Sequence, residues 1–290
     1  MGGFVLRRGA GLDLADRIVR TFVAWCAGEG IREAFIGQPM PIYAREPDDS
    51  GEYALLCNGF SPVDLKYSSV ADLRLTGSRS AMSCKVRHNI VRSETCGVRI
   101  VDSDDFAVFH AILTENKRKF GCAPTHTLEE LERIRELRPA MIRLFLAELE
   151  GKPVAGLMLF LVNPVCALDF YTAQDYRYHH CNPVSLLVEH AMAWCRDRGY
   201  RHFDYGVSMD TSSRNPLEVT RSLVRFKESL GCTGSIRRTY RRTIPRSLDS
   251  AARSLYDPGE ATAGAAPPWT AEKEVPRGEV RDGGAHQPQA

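Results

Sequence analysis

Apolar and polar positions alternate from Ile142 to Glu150, Gly151-Lys152-Pro153 turns the chain, and Val154 to Val162 is an almost unbroken apolar run. That pattern predicts a hairpin whose second strand is buried on both faces. Asn163-Pro164 marks the next turn, and Val165 to Thr172 returns as a third strand. Asn182-Pro183 opens an amphipathic helix that runs to Arg198 and stops at Gly199, and Arg201 to Gly206 is a fourth strand. Two strands joined through such a helix should lie parallel.

Upstream, Leu14, Ile18, Val19, Phe22, Val23 and Cys26 fall on one face of a helix that starts near Asp13 and closes at Gly28 to Gly30. A strand should follow from Ile31 to Ile36. After the loop carrying Pro39, Pro41, Pro47 and Asp48-Asp49-Ser50-Gly51, both Tyr53 to Cys57 and Val63 to Tyr67 look like short strands. Ser78 to Glu94 reads as a basic helix with Arg79, Lys85, Arg87, His88 and Arg92 outside and Met82, Val86, Ile90 and Val91 inside. Val98 to Val101 is a strand, and Asp104 or Asp105 caps a helix built on Phe106, Phe109, Leu113 and Phe120. Thr127-Leu128-Glu129-Glu130 is a capping box whose helix ends at Pro139. Beyond Gly206 a polar loop leads to a helix from Leu217 to Leu230, then a strand from Ser235 to Ile244.

Composition narrows this only in part. The chain has 290 residues, 43% of them hydrophobic, enough for one large core or two modest ones. No apolar run reaches the roughly 18 to 20 residues that span a bilayer, and Arg7, Arg8 and Asp13 interrupt the start as they would not in a secretory signal, so cytoplasm is the expectation. The nine cysteines form no C-x-x-C pair, and Cys26, Cys166 and Cys195 sit in apolar periodic stretches; they read as reduced thiols, with no metal site. A formal net charge of +2 favours no class of partner. From about Ser250 onward Ala, Gly, Pro, Gln and Glu replace the large apolar residues, which predicts a dispensable, disordered tail.

From residue 98 the order is strand, two helices, three antiparallel strands, helix, parallel strand, helix, strand. Its landmarks are Ser83-Cys84-Lys85-Val86-Arg87-His88-Asn89-Ile90 leading to Glu94 and Gly97-Val98, then Lys117-Arg118-Lys119-Phe120-Gly121, Gly151-Lys152-Pro153-Val154-Ala155-Gly156, Phe203-Asp204-Tyr205-Gly206, and Arg225-Phe226-Lys227 with Leu230-Gly231. Order and landmarks together resemble the GNAT superfamily of N-acyltransferases, in its Fem-like branch. The resemblance implies an α/β (α+β) fold: a mixed, mainly antiparallel sheet with one splayed parallel pair and flanking helices. It divides the chain into a truncated GNAT-like half-domain at 1–75, a complete GNAT-like domain at 76–247 and a tail at 248–290. The half-domain is too short to cover its own apolar face, so it should pack on the complete domain or across a homodimer.

The resemblance also implies a donor site where the parallel strands separate, with the amino end of the helix after Pro183 attracting donor phosphates. Arg177 and Asn182 would line that end. The loop Arg177-Tyr178-His179-His180-Cys181-Asn182 has no glycine, which leaves acyl-CoA and aminoacyl-tRNA both open as donor. Lys227 matches the Phe-Lys position beside the gap and reads either as an oxyanion stabiliser or as a solvated helix lysine. Asp204 and Gly206 end the fourth strand on one face, with Ser208 just beyond; Asp204 could accept a proton or simply hold a loop. Asp169 and Tyr171 should share one face of the third strand and would suit base and acid duties, unless Tyr171 is core. Lys85 and Arg87 on the basic helix, and Arg237, Arg238, Arg241 and Arg242 on the last strand, could meet phosphates of a nucleotide-linked acceptor or of tRNA; the last strand could equally be a protected basic edge. His110 and His190 read as partly buried core histidines. The expected activity is amide formation by direct transfer from acyl-CoA or aminoacyl-tRNA to a small-molecule or peptide amine, without a metal. The competing expectation is a degenerate GNAT-like module that binds a nucleotide, tRNA or protein.

Overall fold

In a computed structural model, which describes residues 3–119 and 121–245, the chain is built around one eight-stranded sheet. The elements are α1 (Gly11–Gly28), β1 (Glu33–Gln38), α2 (Ser50–Cys57), β2 (Ser61–Asp72), α3 (Leu73–Thr76), α4 (Cys84–Thr95), β3 (Arg99–Ser103), α5 (Phe106–Arg118), α6 (Leu128–Leu137), β4 (Ile142–Leu149), β5 (Lys152–Asn163), β6 (Cys166–Gln174), α7 (Pro183–Asp197), β7 (His202–Val207), α8 (Arg221–Ser229) and β8 (Thr233–Thr243). The strand order is β1-β8-β2-β7-β6-β5-β4-β3. Every neighbouring pair is antiparallel except β6 and β7. The predicted mixed fold is the observed one. Phe120 and the tail from about Ser250 lie outside the described residues.

The hairpin at Ile142–Asn163 forms as its pattern requires. Val154 to Leu159 is buried throughout, because α4 and α7 cover one side of β5 and α5 and α6 the other. Gly156 lets the α5 side approach: a Cβ there would stand 2.5 Å from the Phe109 ring. Ser83 caps α4 through the Val86 N–H and Asp105 caps α5 through the Val108 N–H, while Thr127 and Glu130 close the capping box of α6. A third cluster joins α1, α2, β1 and β8 through Val19, Val23, Leu55, Ile36 and Tyr240.

Several expected elements are corrected. Tyr53 to Cys57 is not a strand but part of α2, since Ala54 and Leu55 are buried side by side with Gly51 one turn earlier, a helical spacing. β2 is longer than the expected Val63 to Tyr67 because Ser68 and Ser69 continue it while fully buried, which no apolar pattern announces. The basic helix starts only at Cys84, after a separate turn at Arg79–Ala81. The last helix starts at Arg221 rather than Leu217, because Val219 is bridged to Met209. β8 is no edge: it lies between β1 and β2, so its arginines do not guard an open strand. The strands on either side of residue 75 share this one sheet, with β2 pairing to both β7 and β8. Among the described residues, no helix is long and apolar enough to cross a membrane.

Candidate active site

β6 and β7 run parallel from Cys166 opposite His202 to Leu168 opposite Asp204, and there the pairing stops. Beyond that point the two strands separate. Gly206 has φ of +74° near the end of β7, and a Cβ there would stand 3.8 Å from the Asp169 carbonyl oxygen. A side chain would strain that backbone, which is what glycine at this position avoids.

Lys227 comes to this opening from α8. Its burial is nearly complete, at 3% exposure, so it is not a solvated helix lysine. Nζ donates to the carbonyls of Gly206 at 2.9 Å and Val207 at 3.0 Å, and it lies 5.2 Å from the centre of the Tyr205 ring. Burial draws its pKa down to about 8, against the opposing pull of Asp169, Cys232 and Asp204. An ammonium has three protons, so two are engaged and one is left for a ligand.

Asp169 stands beside it on β6. The Thr172 hydroxyl lies 2.9 and 2.7 Å from its two oxygens, and burial pushes the carboxyl up to about 7 despite Thr172 and Lys227. Such a group can take or give a proton at neutral pH. Burial also holds the Tyr205 phenol well above its ordinary range and the Cys232 thiol at about 12, so both stay neutral.

Asp204 is fully buried on the opposite face of the sheet, as alternation from Phe203 and Tyr205 requires. Four donors saturate it: Ser68 Oγ at 2.9 Å and the Gly206 N–H at 2.8 Å on one oxygen, Tyr43 Oη and Arg237 Nη2, each at 2.5 Å, on the other. Burial next to Asp204 also raises the Tyr43 phenol. Asp204 thus fixes the Gly206 peptide whose carbonyl seats Lys227. Of the two roles expected of Asp204, these four contacts match the holding of a loop.

Tyr171 does not share a face with Asp169. A bulge at Phe170 breaks the alternation, leaving Asp169 opposite Leu159 and Tyr171 opposite Met158. Tyr171 turns into the α5–α6 side, where its hydroxyl meets His126 Nδ1 at 2.8 Å. Ser208 is buried, its hydroxyl has no partner among the described residues, and its backbone links β2 to α8 through Tyr67 and Thr220. Asn182 takes φ of +52° at the start of α7 without capping it by its side chain. Arg177 is bonded to buried Asp175 at 2.6 Å, Arg87 folds back onto the Met82 carbonyl, and Lys85 is exposed on α4. These four surround α4 and α7 rather than joining the Lys227 cluster. His110 bonds the His126 carbonyl and His190 packs edge-on to Phe145, as core histidines do.

Residues 83–212 match the model of the acetyltransferase (GNAT) domain. That stretch is similar to the GNAT domain, and the fold of the chain is Fem-like. FemX aligns over 88% of this chain and 81% of its own, at 11% identity and a TM-score of 0.66. The C-terminal domain of a candidate lysylphosphatidylglycerol synthetase from Agrobacterium fabrum aligns over 88% and 79%, at 15% identity and a TM-score of 0.60. L-PGS from Bacillus licheniformis gives 88%, 79%, 15% and 0.59. No curated protein sequence matches the chain. The GNAT match takes in Asp169, Asp204 and Gly206 and ends before Lys227.

Lys227 and Asp169 stand out in the sequence, whereas Tyr43, Ser68 and Thr172, which the structure brings beside the two aspartates, do not. Tyr43 sits in a proline-rich loop 161 residues from its partner, and nothing local marks it. Ser68 and Ser69 carried a signal in retrospect, two adjacent serines prolonging a strand.

Proposed function

We propose that this GNAT-like protein forms an amide by direct transfer of an acyl or aminoacyl group from an activated donor to a primary amine. The observation that carries the reading is the pairing, at the strand separation, of a nearly buried lysine with a titratable carboxylate: Lys227 on two strand-end carbonyls and Asp169 near pKa 7 beside it. In this reading Asp169, ionised above about 7, takes a proton from the attacking amine as the new C–N bond forms. The third proton of Lys227 meets the carbonyl oxygen as it becomes an oxyanion, and as the tetrahedral intermediate collapses the C–S or C–O bond breaks and the departing thiolate or alkoxide takes the proton from Asp169. Asp204, Tyr43 and Gly206 hold the scaffold and move no proton.

The donor is an acyl-CoA thioester or an aminoacyl-tRNA ester, and the amino end of α7, which carries no side-chain cap, is where its phosphates would sit. The acceptor is a small-molecule or peptide amine, and the reaction belongs in the cytoplasm. A homodimer remains part of the proposal. Mass spectrometry of ligands copurified with the protein identifies the donor. Single-turnover transfer from that donor then tests the chemistry, and full transfer by Asp169→Asn and Lys227→Met would refute it.

A further inference from the structure

On the face of the sheet that holds Asp204, Arg237 keeps a donor that nothing accepts. Its Nη2 is bonded to Asp204, while Nε is buried and has no partner among the described residues. A buried N–H without an acceptor is costly, and a guanidinium offers its protons as a planar fork suited to oxyanions. Directly across the strand pair stands Lys66, the register partner of Arg237 on β2. Like charges facing each other in this way repel. Asp204 offsets the arginine and Asp64, 3.1 Å from Lys66 Nζ, offsets the lysine only at the surface, with both side chains of that pair exposed.

We infer that Arg237 and Lys66 form a subsite for a compact oxyanion, a carboxylate or a phosphate, carried by the amine acceptor. The assignment to the acceptor rests on the transfer reading above. It follows from placement: α7, where donor phosphates would sit, packs with Phe203 and Tyr205, whereas Arg237 lies on the other face with Asp204 and Ser68. Arg237 is also connected to the reaction centre through Asp204, the Gly206 N–H and the Gly206 carbonyl that seats Lys227. A ligand anchored there approaches the strand separation from the side opposite the donor.

The test needs no donor. Inorganic phosphate and, separately, acetate are titrated into the full-length protein at constant ionic strength, with the melting temperature and amide NMR shifts as readouts. Wild type should respond saturably, and the anion bound more tightly names the acceptor's group. Lys66→Gln and Arg237→Gln should each weaken binding by about 10-fold or more, the scale of one charge-assisted contact. Arg225→Gln, an exposed arginine on α8, should not. If Arg237→Gln does not fold, Lys66→Gln decides alone, since its side chain is partly exposed. No saturable response to either anion, or equal affinity in wild type and the folded variants, overturns the subsite. Transfer without anion binding would refute the subsite only; phosphate binding through Lys66 in a protein that transfers nothing would refute the transfer reading only.

Discussion

Asp169 and Asp204 are both buried in one sheet, on neighbouring strands and opposite faces, yet their surroundings differ in kind. Asp204 receives four hydrogen bonds from Tyr43, Ser68, Gly206 and Arg237, an arginine among them. Asp169 has the Thr172 hydroxyl and a neighbouring lysine, two of whose three protons are bonded elsewhere. A carboxylate enclosed by donors is tied to the chain around it and organises backbone. One buried with little compensation titrates near neutrality, and that is the condition for proton transfer.

The two aspartates should therefore respond in opposite ways to removal. Asp169→Asn should cost about 10²- to 10⁴-fold in rate, the range for a lost general base, while stabilising the protein at pH 8. The sign follows from the raised pKa. Ordinary aspartate titrates near about 3.9, so the contribution of Asp169 to stability is full below about 4 and is lost as pH rises through about 7. Asparagine has no such loss, and melting curves should show its advantage growing from pH 4 to pH 7 and level above that. Wild-type rates should rise through about 7 as Asp169 ionises and fall through about 8 as Lys227 loses its proton. Absence of the lower limb, or its survival in Asp169→Asn, would exclude Asp169 as the base.

Asp204→Ala should do the reverse, destabilising by about 3–5 kcal/mol because Arg237 loses its buried partner. Urea denaturation measures this, and a loss below about 1 kcal/mol, the net value of one ordinary hydrogen bond, would mean that the network is not cooperative.

Much of the sheet was legible because burial on both faces of β5 and the strand–helix–strand order around α7 are written in runs and spacings. Asp169 and Lys227 were legible as types at positions, Lys227 through its Phe-Lys resemblance. What escaped was long-range. The bulge at Phe170 moved Tyr171 to the other face, and no residue in Leu168-Asp169-Phe170-Tyr171 announces a bulge where no glycine stands. Tyr43, Ser68 and Arg237 meet Asp204 only after three separate segments have folded onto β7. Polar residues that satisfy one another in a core interrupt the apolar pattern from which strands are read, which is why β2 looked short.

Lys227 feels the charge of both aspartates. Lys227→Met keeps the stem and removes the cation, and single-turnover transfer should fall by about 10²-fold, the scale of one lost oxyanion donor. Its melting temperature should stay within a few degrees of wild type. The two carbonyl contacts are lost, but so is the cost of burying a charge that already draws the pKa down to about 8. Lys227→Arg should recover only part of the rate, since a planar guanidinium places its protons differently.

The smallest effect separates the Asp204 scaffold from the chemistry it supports. Tyr43→Phe removes one of four donors from Asp204 and leaves Ser68, Gly206 and Arg237 in place. The cost should be about 1.5 kcal/mol, the lower end for a hydrogen bond to a charged group. Tyr43 also anchors its loop through its carbonyl, which accepts from Asn163 Nδ2 at 2.6 Å, and Arg201 holds the Arg45 carbonyl, so the loop should stay seated. If Asp204 acts only through the Gly206 peptide, the pH–rate profile of Tyr43→Phe should keep both limbs at the wild-type positions, with a rate within a few-fold. A shift of the lower limb would show that Asp204 shares the proton with Asp169, and the two faces of the sheet would then have to be treated as one titrating unit.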